Sequence, residues 1–354
     1  MNTGRQRRVL ILLFALLLCL VMARVSFTGQ RESTGSFSLW YSEADCPGAV
    51  IDSLLALCRS ETGLRIAARG FADEQALGAA FENARPDLLW CSQLRAGTLS
   101  ENGHLCPLEE SLPIPDAFAA ETADGTFFPL GIRLPLLLVN TALTGADFDH
   151  LEALLEAGDG KAFLASGDWA ELLHTAAFSR GYVLRGDLDA DLQNSAARDL
   201  FNALAGAAFR GALVSSENAA EYVRQGLVPC AVVRSDALAG LTGKNLAIRL
   251  LPLPGGGEVG YPAELMGFAL LEGGDRENAA VFLRWLYDTT SGSRAALSAG
   301  LVPLTADAAG QSAMEKAIAG LGAAPFRFGT ADSAYYANRA QLESRLRAAL
   351  DLLA

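Results

Sequence analysis

The chain has 354 residues, 51% of them hydrophobic and 19% charged, with a formal net charge of −12. This length admits two lobes with separate cores, and the composition excludes a disordered chain. The acidic balance excludes a nucleic-acid surface, which needs clustered Lys and Arg.

Arg5, Arg7 and Arg8 precede an apolar run over residues 9–23 that Arg24 closes. A basic start before a short apolar stretch is the pattern of a secretory signal. Residues 1–25 are therefore expected to be a signal peptide or membrane anchor, and residues 26–36 a polar tether. Cys19 follows the bulky Leu18, where lipoprotein processing takes a small residue. Cleavage, lipidation at Cys19 and retention all stay open.

Residues 37–41 read as a short strand. Asp45 and Pro47 open a helix in which Val50, Ile51, Leu54, Leu55 and Cys58 recur at helical spacing, and Gly63 closes it. Leu64, Ile66 and Ala68 alternate as a strand does. Asp73 starts a second helix through Leu77, Ala80 and Phe81, and residues 87–91 form a compact buried strand. Such a β-α-β-α-β order predicts a parallel sheet covered on both faces. An extended run follows over 127–143, broken by Pro129 and Pro135. Helical patterns occupy 148–157, 169–180, 195–209 and 218–225. The patterns at 228–234, 246–251 and 265–271 are strands, and helices at 276–287 and about 336–353 close the chain.

The chemistry-bearing residues are sparse. The three histidines, His104, His150 and His174, form no metal-ligand spacing, and no nucleophile elbow occurs. Gly255-Gly256-Gly257 lacks the Lys-Ser/Thr of a phosphate loop. An enzyme is therefore not expected, nor a metal or cofactor. Beyond Cys19 lie Cys46, Cys58, Cys91, Cys106 and Cys230, without a C-x-x-C. In an exported protein the first four of these can form one or two disulfides; small buried apolar groups are the alternative.

Several segments in order resemble the family 1 extracellular solute-binding proteins of ABC importers. Leu39-Trp40-Tyr41 with Glu61-Thr62-Gly63-Leu64-Arg65-Ile66 resembles the family's opening strand, helix and turn. Arg85-Pro86-Asp87-Leu88-Leu89-Trp90 resembles its third strand, and Gly103-His104-Leu105-Cys106-Pro107-Leu108 the loop beyond. Asp124-Gly125-Thr126-Phe127-Phe128-Pro129-Leu130 with Leu138-Val139-Asn140-Thr141, and Gly226-Leu227-Val228-Pro229-Cys230-Ala231, continue the match. So do Pro252-Leu253-Pro254-Gly255-Gly256, the helix around Phe282 and Trp285, and Gly300-Leu301-Val302-Pro303. The resemblance covers residues 37 to about 305.

The resemblance implies an α/β, periplasmic-binding-protein-like type II fold: two lobes joined by a hinge, with a ligand cleft between them. Lobe one would be 37–131 plus 265–304, lobe two 136–253 plus 307–354, with crossings near 130–136, 252–265 and 303–306. It implies a monomer that captures a small polar molecule, a sugar or oligosaccharide, for ABC permease subunits, and touches the membrane only through its N-terminal segment. An envelope sensor or partner-binding protein of the same fold, without a transporter, is the alternative.

Sugars present apolar C–H faces and hydroxyl rims, which aromatic rings and charged forks recognise. Strand ends and crossings supply such groups: Trp40, Tyr41 and Glu43 close the first strand, Trp90 ends the third, and Arg133 sits in the first crossing. Trp169 begins a lobe-two helix, Arg234 and Asp236 follow a lobe-two strand, and Tyr261 and Glu264 sit in the second crossing. Tyr335 lies in a segment resembling one whose aromatic stacks on sugar in the family. Trp40 and Trp90 also suit a core, and Trp285, within an apolar helix stripe, is expected to be core. Where the family often carries a tryptophan, this chain has Val233-Arg234-Ser235-Asp236, which weakens the oligosaccharide assignment and leaves a smaller, a more polar or a degenerate site as alternatives.

Overall fold

A computed structural model describes residues 37–108, 112–114, 118, 124–144, 155, 164–166, 168–216, 218–252, 261–288, 290–304, 312–321, 326–327 and 333–353. The expected signal, the tether, the Gly255–Gly257 run and the helix at 148–157, apart from Leu155, lie outside the described residues.

The chain opens as expected with β1 (Phe37–Ser42), α1 (Gly48–Thr62), β2 (Ile66–Phe71), α2 (Glu74–Phe81) and β3 (Leu88–Ser92), followed by α3 (Gln93–Glu101). Local chemistry sets these bounds. Gly63 adopts φ 76° and returns its N–H to Arg59 O, a left-handed stop that suits glycine. The Asp73 carboxylate accepts from Ala76 N and so caps α2.

The extended run 127–143 divides between two sheets, as β4 (Phe127–Arg133) and β5 (Pro135–Asn140). Then come β6 (Leu164–Ser166), α4 (Trp169–Ser179), α5 (Leu188–Asp191), α6 (Ser195–Phe209), β7 (Leu213–Ser215), α7 (Ala219–Gln225), β8 (Cys230–Arg234) and β9 (Leu246–Leu250). The last part holds β10 (Tyr261–Pro262), β11 (Glu264–Leu270), α8 (Arg276–Asp288), α9 (Ser291–Ser298), β12 (Val302–Pro303), α10 (Ala313–Gly320), β13 (Phe326–Arg327) and α11 (Ser333–Asp351). Helix α11 starts three residues earlier than its apolar stripe suggests.

Among the described residues the first sheet runs β12-β4-β11-β3-β1-β2, the second β7-β6-β8-β5-β9, and β10 pairs with β13. β1 pairs in parallel with β2 and β3, while β11 runs antiparallel between β3 and β4. A bulge at Met266/Gly267 brings β11 so close to β4 that a Cβ on Gly267 would lie 2.1 Å from Phe128 O. Only glycine fits there.

One apolar core fills the outer face of the first sheet, with Trp90, Phe268 and Phe282 in edge-to-face contact at 5.1 and 5.2 Å. A second core gathers Trp169, Leu173, Leu200, Leu342 and Leu346 against the second sheet. The third runs through the junction: Trp40, Leu89, Ile132, Leu134, Leu136 and Val233 belong to one cluster. Leu134, between β4 and β5, is 1% exposed, so the link between the sheets is buried and packed.

Five cysteines, Cys46, Cys58, Cys91, Cys106 and Cys230, are buried free thiols, which corrects the disulfide expectation in favour of its alternative. Burial pushes the Cys46 and Cys230 thiols up to about 12, so neither ionises readily. Trp285 is core as expected, with its indole N–H given to Glu61 Oε2 at 2.7 Å.

Candidate functional site

The ends of β1, β4, β8 and β11 meet where the two sheets join, and their polar residues collect around Arg133. Its Nε and Nη2 donate to Glu264 Oε2 at 2.9 and 2.6 Å, and its Nη1 donates to Asp45 Oδ1 at 2.7 Å and Asp236 Oδ2 at 3.3 Å. Arg133 and Glu264 are directly opposed in the β4–β11 register. The guanidinium is almost fully buried. Burial opposes its charge, but Glu264, Asp45 and Asp236 outweigh it and hold the proton on. Burial likewise opposes the charge of Asp45, while Arg133 wins and holds its carboxyl below the usual range.

Arg234, at the end of β8, forks onto Asp236 with Nε–Oδ1 at 3.0 Å and Nη2–Oδ2 at 2.7 Å. Its Nη2 also reaches Ala44 O at 3.5 Å, on the turn after β1. A second cluster starts from the N-terminus of α4. Asp168 caps that helix by accepting from Glu171 N at 2.9 Å, and Arg339 from α11 pairs with Asp168 and, at 2.9 Å, with Glu171. Glu343 accepts from Ala170 N at 2.8 Å and from Arg347 Nε at 2.6 Å. Burial raises Glu171 to about 7 against the pull of Arg339, with Asp168 adding to the rise.

Between these clusters lies a cavity of about 670 Å³, walled by Ala44, Pro135, Asp168, Glu171, Val232 and Arg234 and edged by Glu221 and Arg347. It opens beyond the ends of β5 and β8, the crevice position where open α/β sheets bind ligands. No aromatic residue stands among its described lining residues.

The structure brings Arg133, Arg234, Asp236 and Glu264 together. The other expected positions lie elsewhere. Trp40 packs on Phe71 at 5.0 Å with the Arg69 guanidinium over its ring at 5.2 Å. The Tyr41 hydroxyl donates to Glu43 Oε1 at 3.3 Å, and Glu43 accepts from Gly48 N at 2.9 Å, so this pair fastens the start of α1. Trp90 is 1% exposed in the first core, and its Nε1 meets no acceptor among the described residues. Trp169 is fully buried in the second core. Tyr335 is buried there too, stacked on His174 with centroids 4.5 Å apart. Tyr261 is half-buried against the same core. Trp40, Trp90, Trp169 and Tyr335 are thus buried in the cores, whereas the cavity wall mixes charged groups with apolar ones such as Val232 and Leu241.

Asp45, Asp168, Glu171 and Arg339 were not singled out by sequence. Asp168 carried a readable signal as an acidic residue directly before the helix at Trp169. Arg339 lies one helical turn beyond Tyr335. Nothing local distinguishes Asp45 from any helix-opening aspartate.

This architecture, two sheet-centred lobes with a polar crevice at their junction, defines the two-lobed class of ABC substrate-binding proteins. Three solved structures share the fold. The spermidine/putrescine ABC transporter substrate-binding protein PotD from Streptococcus pneumoniae is 13% identical, with a TM-score of 0.67 over 90% of this chain and 100% of that one. The GacH receptor of Streptomyces glaucescens, solved unliganded and with acarbose, is 15% identical with a TM-score of 0.69 over 91% and 95%. UgpB from Mycobacterium tuberculosis in complex with glycerophosphocholine is 15% identical with a TM-score of 0.68 over 91% and 98%. No curated protein matches the chain. The family described as bacterial extracellular solute-binding protein matches residues 59–320, and the chain belongs to it. Proteins of this kind bind small molecules and deliver them to ABC permeases, which bears out the resemblance read from the sequence.

Proposed function

We propose that this chain captures a small polar solute in the cavity at the lobe junction and passes it to an ABC permease, recognising it by paired charges. The observation that carries this reading is the wall itself: Asp168, Glu171 and Arg234 border a cavity of about 670 Å³, the size of a small-molecule site. Carboxylates and a guanidinium suit the hydroxyl rim of a sugar, the solute the family resemblance implies. A sugar bound here would be held through its hydroxyls, because the described wall presents no ring to its C–H face. In this reading the N-terminal segment exports the protein and tethers it outside the membrane.

A second reading rests on charge. Around the junction Asp45, Asp168, Glu171, Asp236, Glu264 and Glu343 outnumber Arg133, Arg234, Arg339 and Arg347. Such a field favours a solute bearing positive charge. Thermal melts with a panel of mono- and oligosaccharides, diamines and amino acids decide between them. A solute at a hundred times its dissociation constant stabilises the fold by about 2.7 kcal/mol. A rise with a sugar supports the first reading, and a rise confined to amines supports the second. No rise with any member at millimolar concentration removes the cavity as a site for these solutes.

A further inference from the structure

Two carboxylates of the cavity wall depend on one nitrogen. The Arg339 Nη2 pairs with both Asp168 and Glu171, and both of these acids line the cavity. Asp168 has a second anchor in the Glu171 N–H at 2.9 Å. Glu343, from α11, is held by Ala170 N at 2.8 Å and Arg347 Nε at 2.6 Å. The Asp168 and Glu171 side chains are 24% and 15% exposed, so water compensates little for two like charges on one guanidinium. Helices α4 and α11 pack in the second core, so the arrangement lies within one lobe.

The neighbours of Glu171 leave its carboxyl as the group that gives way. Along α4, His174 stays neutral near pH 7, because burial and then Arg339 lower it to about 4. From α11 come Tyr335, whose hydroxyl burial pushes up, together with Arg339, Glu343 and Arg347. Strand β10 brings Tyr261, also raised by burial. Elements α6 and β5 give Leu200, Leu204, Leu137 and Val139 to the second core, and Arg198 and Asp199 of α6 are exposed. Burial holds a proton on Glu171 up to about pH 7. Arg339 opposes it, Asp168 reinforces it, and Arg234 and Arg133 add further pull toward the ionised form.

We propose that Glu171 ties capture of a cationic solute to the loss of a proton, which passes from its carboxyl to bulk water as an ammonium group settles beside Asp168. The ammonium supplies the second positive charge that lets both carboxylates ionise. A sugar hydroxyl supplies none, so the preference of this wall for amines over sugars grows as pH rises. The inference rests on the cationic reading of the cavity.

Isothermal titration of the full chain with 1,4-diaminobutane tests it, at pH 6, 7 and 8 and in two buffers of different ionisation enthalpy. A carboxyl titrating at about 7 should release about half a proton on binding at pH 7, and affinity should tighten about tenfold from pH 6 to 8. Glu171→Gln, isosteric and unable to ionise, should bind with no proton released and a flat pH profile, while Glu343→Gln keeps the parent's release. Binding by the parent without proton exchange overturns the inference. So does release that persists in Glu171→Gln or vanishes in Glu343→Gln, since another group then carries the proton. If Glu171→Gln does not fold, the parent and Glu343→Gln decide between them. No binding at any of the three pH values is a separate result, which removes the cationic reading and the inference with it.

Discussion

The two arginine-centred clusters differ in how their charges are gathered. Arg133 draws its partners from the segments after β1 and β8 and the start of β11, and it is 4% exposed. Arg339 finds both of its acidic partners at the start of α4, and its side chain is 20% exposed. The first cluster joins the lobes, while the second shapes one wall. A sealed cluster has no water to replace a lost partner, and an open one does, so the two should respond differently to the same kind of substitution.

The largest effect is expected at the sealed cluster. Arg133→Met leaves Asp45, Asp236 and Glu264 buried without their cation, and should cost about 3–5 kcal/mol in urea unfolding at neutral pH. Arg339→Met removes the corresponding charge at the wall and should cost about 1–2 kcal/mol, because partial exposure screens the loss. Glu171, already raised to about 7, also takes up a proton readily there. Equal losses at the two sites would erase the distinction between a junction and a wall.

A smaller effect sharpens the contrast through pH. In the folded chain Glu171 titrates at about 7 instead of 4.5, so neutral Glu171 favours folding below pH 4.5 and that contribution is lost as pH rises to 7. Burial, then Arg339, lowers His174 from 6.5 to about 4. Its contribution is present above pH 6.5 and is lost as pH falls to 4. The two slopes oppose each other. Relative to the parent chain, Glu171→Gln should make the urea midpoint climb more steeply from pH 4.5 to 7. His174→Phe should make it fall more steeply from pH 4 to 6.5. Parallel pH profiles for all three chains would show that neither group titrates as its surroundings dictate.

The smallest effect belongs to the aromatic core. Trp90→Phe gives up some contact with Phe268 but also removes a buried N–H that meets no acceptor among the described residues. The two terms offset, and chemical denaturation should change by less than about 1 kcal/mol. A loss of several kcal/mol would mean the indole makes a contact worth more than its packing.

Much of this architecture follows from the chain's local pattern. Helical spacing from Val50 to Cys58, the alternation at Leu64–Ala68 and the apolar run at 87–91 define the opening β-α-β-α-β, because burying one face of an element demands that periodicity. Period and composition also placed Trp285 in a core. They did not separate Trp40 and Trp90 from the cleft, since a sheet covered on both faces buries both sets of alternating side chains. Nor did they pair the cysteines, whose burial as separate thiols depends on which core each strand and helix faces. Arg133, Arg234, Asp236 and Glu264 were read from the sequence one by one, but how they pair was not. Arg133 meets Asp45, Asp236 and Glu264 across 88, 103 and 131 residues of chain. No local propensity reaches that far. Periodicity assigned the elements one by one, and only the docking of two sheets, with desolvation that leaves a buried charge no partner but another charge, decided which polar side chains converge.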